Sequence, residues 1–307
     1  MEWLIIKSEE QQKKNEPAII EKILSSHVVP FTAIGSEEIE RFNTDSLLRK
    51  LFKNITHVAV LDENFGKDFH GNLLQFGFQY FLIGFLVGKK IPSYCINLMH
   101  HFQSSDNFKN FFTEEDLGKY VEENFHKIHV EELSRVATEE LLSKGIPVTA
   151  ECFARNIEKE NLAICKMLHL AGVDINSRDV DGTPLLNVAV RNENIEIVNW
   201  LLAHGADIDA VSTDRGYSAV MDAVWKSNEE IIKILVENGA SLKFISKEGQ
   251  SILVLAVGIG KESICKILAK NGADPDIKDS MGMSAYEYAV LFHREEIINA
   301  LKPFHKE

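Results

Sequence analysis

The sequence predicts two domains of different class, an α/β domain over residues 1–130 and an all-α solenoid over residues 131–307. Three observations predict this division. Short apolar runs rich in β-branched residues alternate with helically spaced segments in the first half, and glycine recurs at a fixed interval in the second. The chain has 307 residues, 45% of them apolar and 26% charged, which is enough for two buried cores.

In the first domain, WLIIK from Trp3, HVVPF from His27, THVAVLD from Thr56 and SYCINL from Ser93 read as short buried strands. Between them, EPAIIEKILSS and SEEIERFNTDSLLRKLF carry helical spacing. That alternation predicts a parallel sheet covered by helices, in which a ligand sits at the carboxyl ends of the strands. Those ends supply Ser8, Phe31, Thr32, Asp62 and Glu63, and the loop NFGKDFHG follows Asp62. The longest apolar run, FQYFLIGFLVG at residues 78–88, is about half of the roughly 20 residues that a membrane span requires, and Lys89 and Lys90 end it. A buried helix is expected there, and no membrane association. FFTEEDLGKYVEENF reads as a capped amphipathic helix that closes the first domain with an acidic, solvated face.

In the second domain one glycine series runs Gly172, Gly205, Gly239, Gly272 and another Gly182, Gly216, Gly249, Gly282, each stepping by about 33 residues. Ala189, Ala223, Ala256 and Ala289 keep the same phase. Each unit reads as two short amphipathic helices followed by a turn. The first glycine of each unit ends the second helix in a left-handed conformation, and the small alanine lets the paired helices approach closely. Leu168, Leu201, Leu235 and Leu268, four residues before that glycine, are predicted to form one core row.

This period and DGTPLL at residues 181–186 resemble the ankyrin repeat, with four clear copies. A looser leading unit, IPVTAECFARNIEKENLAICKMLHLAGVD, has two extra residues in its helical turn, and REEIINALKPFHKE breaks the pattern as a polar terminal cap does. Thr183 and Pro184 stand one residue nearer the preceding glycine than the family's usual spacing, which predicts an irregular first turn in that repeat. The resemblance implies a solenoid whose projecting turns and first helices line a groove for a protein partner. Arg191, Arg215, Tyr217, Trp225, Lys226, Lys247 and Phe292 fall at groove and finger positions; Trp, Tyr and Arg are the types that carry interface energy. Trp225 and Phe292 read equally well as packing residues, and the charged members as solvated surface.

In the first half, THVAVLDENFGKDFHGNLLQFGFQ resembles the nucleoside 2-deoxyribosyltransferase family, in which the third strand ends in an aspartate and a Gly-Thr-x-x-Glu-x-Gly stretch follows. That resemblance implies a flavodoxin-like domain, a homodimer and a nucleoside-like ligand, with Asp62 holding it beside Gly71, Asn72 and the residue at position 75. The family's nucleophile is the glutamate of that stretch, and Gln75 stands in its place here. A neutral amide is a poor nucleophile, so covalent glycosyl transfer is expected to be lost. IIKSEEQQ also lacks the family's first-strand motif. The alternative is an active nucleoside-processing enzyme whose nucleophile is Asp62, Glu63 or Asp68.

Other classes are disfavoured. A formal net charge of −13 opposes a nucleic-acid partner. Cys95, Cys152, Cys165 and Cys265 follow no ligand or disulfide spacing and read as free thiols in a reducing cytoplasm. His100 and His101 are adjacent and point apart on a helix, and His27, His57, His70, His126 and His129 lack evident ligand partners. Neither a metal nor a cofactor is expected. Neither G-x-S-x-G nor a P-loop motif occurs.

Overall fold

A computed structural model describes residues 1–13, 17–35, 38, 45–61, 82, 85–86, 89, 91–96 and 108–306. The chain divides into two compact units, Met1–Glu132 and Leu133–Glu307.

The first unit is a five-stranded sheet, β1 (Trp3–Lys7), β2 (Phe31–Gly35), β3 (His57–Val60), β4 (Ser93–Ile96) and β5 (Phe108–Phe111). Every pairing is parallel and the order is β2-β1-β3-β4-β5. Described helices are α1 (Glu9–Lys13), α2 (Ile19–Ser26), α3 (Asp45–Leu51) and α4 (Glu114–Ser143). Alternation along the strands sends side chains to two cores. Leu4, Ile6, Val58 and Val60 pack with Leu48 of α3 and with Leu82 and Leu86, and Trp3, Ile5 and Ala59 pack with Ile20 and Leu24 of α2 and Leu117 and Val121 of α4. Burial on both faces explains why the strands read as unbroken apolar runs. Of the apolar stretch at 78–88, the described residues Leu82, Phe85 and Leu86 are helical.

Three expectations need correction here. HVVPF is not a strand: His27 is the C-cap of α2, Val28 takes a positive φ, and β2 starts after Pro30, whose carbonyl accepts from the Trp3 N–H at 3.1 Å. Phe31 pairs with Trp3, so Phe31 and Thr32 stand at the amino end of the sheet, opposite to the ligand edge expected for them. The second concerns β5, which carried no apolar run because it is an edge strand with exposed Lys109 and Asn110. Finally, the helix that begins at Glu114, with Thr113 Oγ1 accepting from the Asp116 N–H, does not stop near residue 130. It contains no proline and runs to Ser143, beyond which Gly145 turns left-handed and Ile146 N–H donates to Leu141.

The second unit stacks five helix pairs: α5 (Ala150–Glu158) with α6 (Leu162–Leu170), α7 (Leu185–Arg191) with α8 (Ile195–Ala203), α9 (Ala219–Trp225) with α10 (Glu229–Glu237), α11 (Ile252–Ile259) with α12 (Glu262–Lys270), and α13 (Ala285–Leu291) with α14 (Glu295–Leu301). One continuous core joins them. Leu168, Leu201, Leu235 and Leu268 are buried, as are the four in-phase alanines. Asn161, Asn194 and Asn228 cap α6, α8 and α10 by accepting an N–H three residues on.

The expected irregularities fall elsewhere. The leading unit's two extra residues lengthen α5 to 9 residues against 7 in α7, and leave its turn unchanged. Thr183 and Pro184 are regular: the turn closes with an Arg178↔Pro184 bridge at the same interval as Ile245↔Ser251 and Lys278↔Ser284. The turn with an extra residue is the next one, Val211↔Ser218, which holds Asp214 and Arg215. The terminal stretch keeps the repeat phase through Ile297 and Leu301 and departs from it at a 3-10 turn, Lys302–Phe304. There His305 stacks on Tyr286, with ring centroids 3.9 Å apart, and hydrogen-bonds Asp276 at 2.5 Å.

Candidate protein-binding groove

The turns between helix pairs are short antiparallel fingers, and each is tied to the next. Arg178 donates to the carbonyls of Gly182 and Val211, both at 2.8 Å, Thr213 Oγ1 donates to Gly182 at 3.0 Å, and Ser280 Oγ donates to Glu248 at 2.9 Å. Lys247 N–H donates to the Arg215 carbonyl at 3.0 Å, and its ammonium donates to the Thr213 carbonyl. The row is therefore laced through main-chain carbonyls, which fixes where its side chains project.

At the second finger lies a polar network that reaches from the buried Asn187 and Asp222 to the exposed Asp214. Arg191 donates to Asp214 at 3.0 Å through both Nη atoms and to Asp222 at 3.0 Å through Nε, and Asn187 donates to Asp222 at 2.8 Å. Burial pushes the Asp222 carboxyl above its ordinary range, and the bonds from Asn187 and Arg191 only partly oppose this. Asp214 goes the other way: against a desolvation effect, the bonds from Arg191, Ser212 and the Arg215 N–H hold its carboxyl well below the usual range. The extra residue of this finger thus supplies a second carboxylate for Arg191.

Two adjoining hollows open between the fingers and the first helices of the pairs. The first, about 580 Å³, lies among Arg215, Tyr217, Trp225, Val254, Leu255 and Gly258, and the second, about 280 Å³, is bounded by Glu248, Gly258, Asp279, Met281, Tyr288 and Phe292. Glu248, Gln250, Val254 and Gly258 border both. In the repeat register Arg191, Trp225, Gly258 and Leu291 occupy equivalent positions, each two residues beyond the in-phase alanine. Only Gly258 leaves a gap there, and a Cβ added to it meets nothing within 4 Å. Glycine inside a helix costs about 1 kcal/mol relative to alanine, so the gap is bought with stability.

The expected groove residues divide into three kinds. Trp225 is half-exposed with the Arg215 guanidinium 5.1 Å from its ring, and Phe292 is half-exposed and stacked on Tyr288 at 5.7 Å, so both are available to a partner. Tyr217 was expected on the surface and is 3% exposed: it occupies the finger stem where Thr183 is also buried, under Arg215, and contributes only a wall. Arg191, Lys226 and Lys247 are engaged within the stack, Lys226 with Glu193 at 3.6 Å. Glu248, Gly258, Asp279, Met281 and Tyr288 escaped the sequence reading. Aligning the repeats and noting one helical glycine between Trp225 and Leu291 would have found the gap.

In the first unit, Ser8 follows β1 at the carboxyl edge, where its backbone and hydroxyl form a reciprocal pair with Gln11 at the start of α1. Asp62, Glu63, Asp68, Gly71, Asn72 and Gln75 lie outside the described residues, as do His70, His100 and His101. Among the described residues no group of three or more His, Cys, Asp or Glu is placed to hold a metal, and no helix is long and apolar enough to cross a membrane. All four cysteines are free; burial pushes Cys95, Cys165 and Cys265 up to about 12, and Cys152 is the one not buried.

Stacked helix pairs with laced fingers define a repeat scaffold. The second half carries ankyrin repeats: the family model for ankyrin repeats in three copies matches residues 153–246, and the single ankyrin repeat model matches residues 248–280. The chain is similar to an ankyrin repeat-containing protein of Treponema pallidum (strain Nichols), 35% identical over 144 residues, 47% of this chain and 47% of the relative. It is also similar to an ankyrin repeat protein of Fowlpox virus (strain NVSL), 32% identical over 97 residues, 32% of this chain and 14% of that protein. A third similarity is to the B-cell lymphoma 3 protein homolog of Mus musculus, 36% identical over 81 residues, 26% of this chain and 18% of that protein. The chain spans less than half the length of each of these relatives.

Proposed function

We propose that the protein is a non-enzymatic adaptor that recognises another protein through the concave groove of its ankyrin repeats. One observation carries this reading: on a rigidly laced scaffold, two half-exposed aromatic side chains, Trp225 and Phe292, flank a gap at Gly258 that the fold does not require. Buried aromatic anchors in such gaps dominate interface energies. The test is a dissociation constant measured against a purified partner obtained by crosslinking. Trp225→Ala is expected to weaken it by about 1 kcal/mol or more while the melting temperature stays unchanged. Equal affinity of the variant removes Trp225 from the interface, and equal affinity of Trp225→Ala and Phe292→Ala together removes the groove.

For the first unit, a nucleoside-like ligand at the carboxyl edge of the sheet is our second reading. It is favoured by the strand order β2-β1-β3-β4-β5, the order of flavodoxin-like sheets, whose connections reverse direction between β1 and β3 and leave a crevice there. With an amide at position 75 this unit binds without cleaving, and the expected result is no base release from 2'-deoxynucleosides. Base release abolished by Asp62→Asn supports the enzymatic alternative.

A further inference from the structure

The two hollows differ in chemistry. The first combines apolar lining from Trp225, Val254, Leu255 and Ile259 with one residue of each charge, Arg215 and Glu248. That guanidinium already lies over the rings of Trp225 and Tyr217, at 5.1 and 5.8 Å. The second has two carboxylates and two stacked rings. Asp279 accepts from the Tyr288 hydroxyl at 2.7 Å and from the N–H groups of Met281 and Met283, which hold its carboxyl below the usual range, so it is ionised at neutral pH. The Glu248 carboxylate has no hydrogen-bond or ion-pair partner among the described residues, although it borders both hollows.

The second hollow gathers the Glu248 and Asp279 carboxylates and the Tyr288 and Phe292 rings, which stack 5.7 Å apart and inclined by 19°, so that a cation entering it meets both negative charge and aromatic surface. Its volume of about 280 Å³ suits a single long side chain. The chain's net charge of −13 favours a basic partner at longer range. Neighbouring packed helices stand about 8–10 Å apart, and residues three apart in a polyproline II segment face the same way and span about 9 Å. One extended segment can therefore fill both hollows with side chains three positions apart.

We propose that the groove takes an extended peptide segment of a partner protein, with an apolar side chain seated over Gly258 against Trp225 and a lysine or arginine three positions away seated between Glu248 and Phe292. This rests on the groove being a protein-binding surface and names the chemistry it reads. Gly258 admits the first side chain, and Glu248, whose carboxylate has no partner among the described residues, receives the second.

The test is selection of displayed random dodecapeptides on the full chain, followed by fluorescence anisotropy of the enriched peptide in synthetic form. The expected consensus is an apolar residue and a Lys or Arg three positions apart. Glu248→Gln should weaken binding about tenfold, as loss of one charged hydrogen bond does, and replacing the peptide's basic residue with Gln should cost at least as much in wild type and about tenfold less in Glu248→Gln than in wild type. Gly258→Trp should abolish binding and Gly258→Ala retain it, which separates filling of the gap from loss of fold. A consensus without the basic residue, or indifference to Glu248→Gln, overturns the proposal. If such peptides are still lost in Trp225→Ala, the groove reading survives alone. If no peptide is enriched, or binding ignores both Trp225→Ala and Gly258→Trp, this inference falls, and the partner's dissociation constant decides the broader reading independently.

Discussion

The α/β unit and the ankyrin stack bury similar side chains by different means. In the sheet, Trp3 pairs with both Phe31 and His57, so a central strand depends on segments far apart in sequence. In the stack, helices meet chiefly their own partner and the adjoining pairs, and Leu235 and Leu268 hold equivalent buried places one repeat apart. A disturbance in the stack should therefore fade with distance, and one in the sheet should spread through the whole unit.

The largest effects are expected in the two cores. Leu235→Ala and Ile5→Ala each remove a fully buried side chain, and each is expected to cost about 2–5 kcal/mol. Hydrogen exchange separates them: Leu235→Ala should accelerate exchange in α10 and the adjoining pairs while α5 stays protected, and Ile5→Ala should accelerate it in every described strand. Uniform loss of protection from α5 to α14 would show the stack to be one cooperative block.

A smaller effect distinguishes backbone from packing. Gly239 has φ +88° with nothing within 4 Å of an added Cβ, so the cost of Gly239→Val, about 1–3 kcal/mol by denaturant melts, is conformational alone. Gly258 is helical and equally open, and Gly258→Ala should stabilise by up to about 1 kcal/mol. Destabilisation by Gly258→Ala would mean that the helix there needs glycine for itself.

Acid sharpens the picture within the stack. The lowered carboxyls of Asp214, Asp276 and Asp279 contribute stability above the unfolded value near 4, and lose it as pH falls through their folded values, because the unfolded chain then binds more protons. Asp222 has the opposite sign, since its raised folded pKa makes the native state the better proton acceptor. The melting temperature should therefore drop between about pH 5 and 3, and more steeply in Asp222→Asn. An unchanged slope would mean that Asp222 titrates alike in both states. The smallest effect belongs to the surface: breaking the exposed Lys226–Glu193 pair with Lys226→Ala should change stability by no more than about 1 kcal/mol, read from the same melts.

Much of the stack was legible from residues because its contacts are local. The glycine and alanine series and the leucine row are positions whose neighbours lie one period away, so reading one repeat reads them all. The sheet was legible wherever both faces are buried, as at WLIIK and THVAVLD. It was illegible at HVVPF, where β-branched residues end a helix, and at the polar edge strand β5. Repeat phase alone likewise does not reveal that Tyr217 is buried, that Arg191 is spent on Asp214 and Asp222, or that the Glu248 carboxylate has no partner among the described residues.

The sequence by itself determined the class of each half, the phase of the repeats and the ends of their helices, because these follow from side-chain periodicity and backbone conformation over a few residues. Only the tertiary structure decided which strand ends share an edge, which finger carries the extra residue, and which groove side chains remain free for a partner. Those depend on distances between segments remote in sequence, where the burial of one group is set by the packing of another.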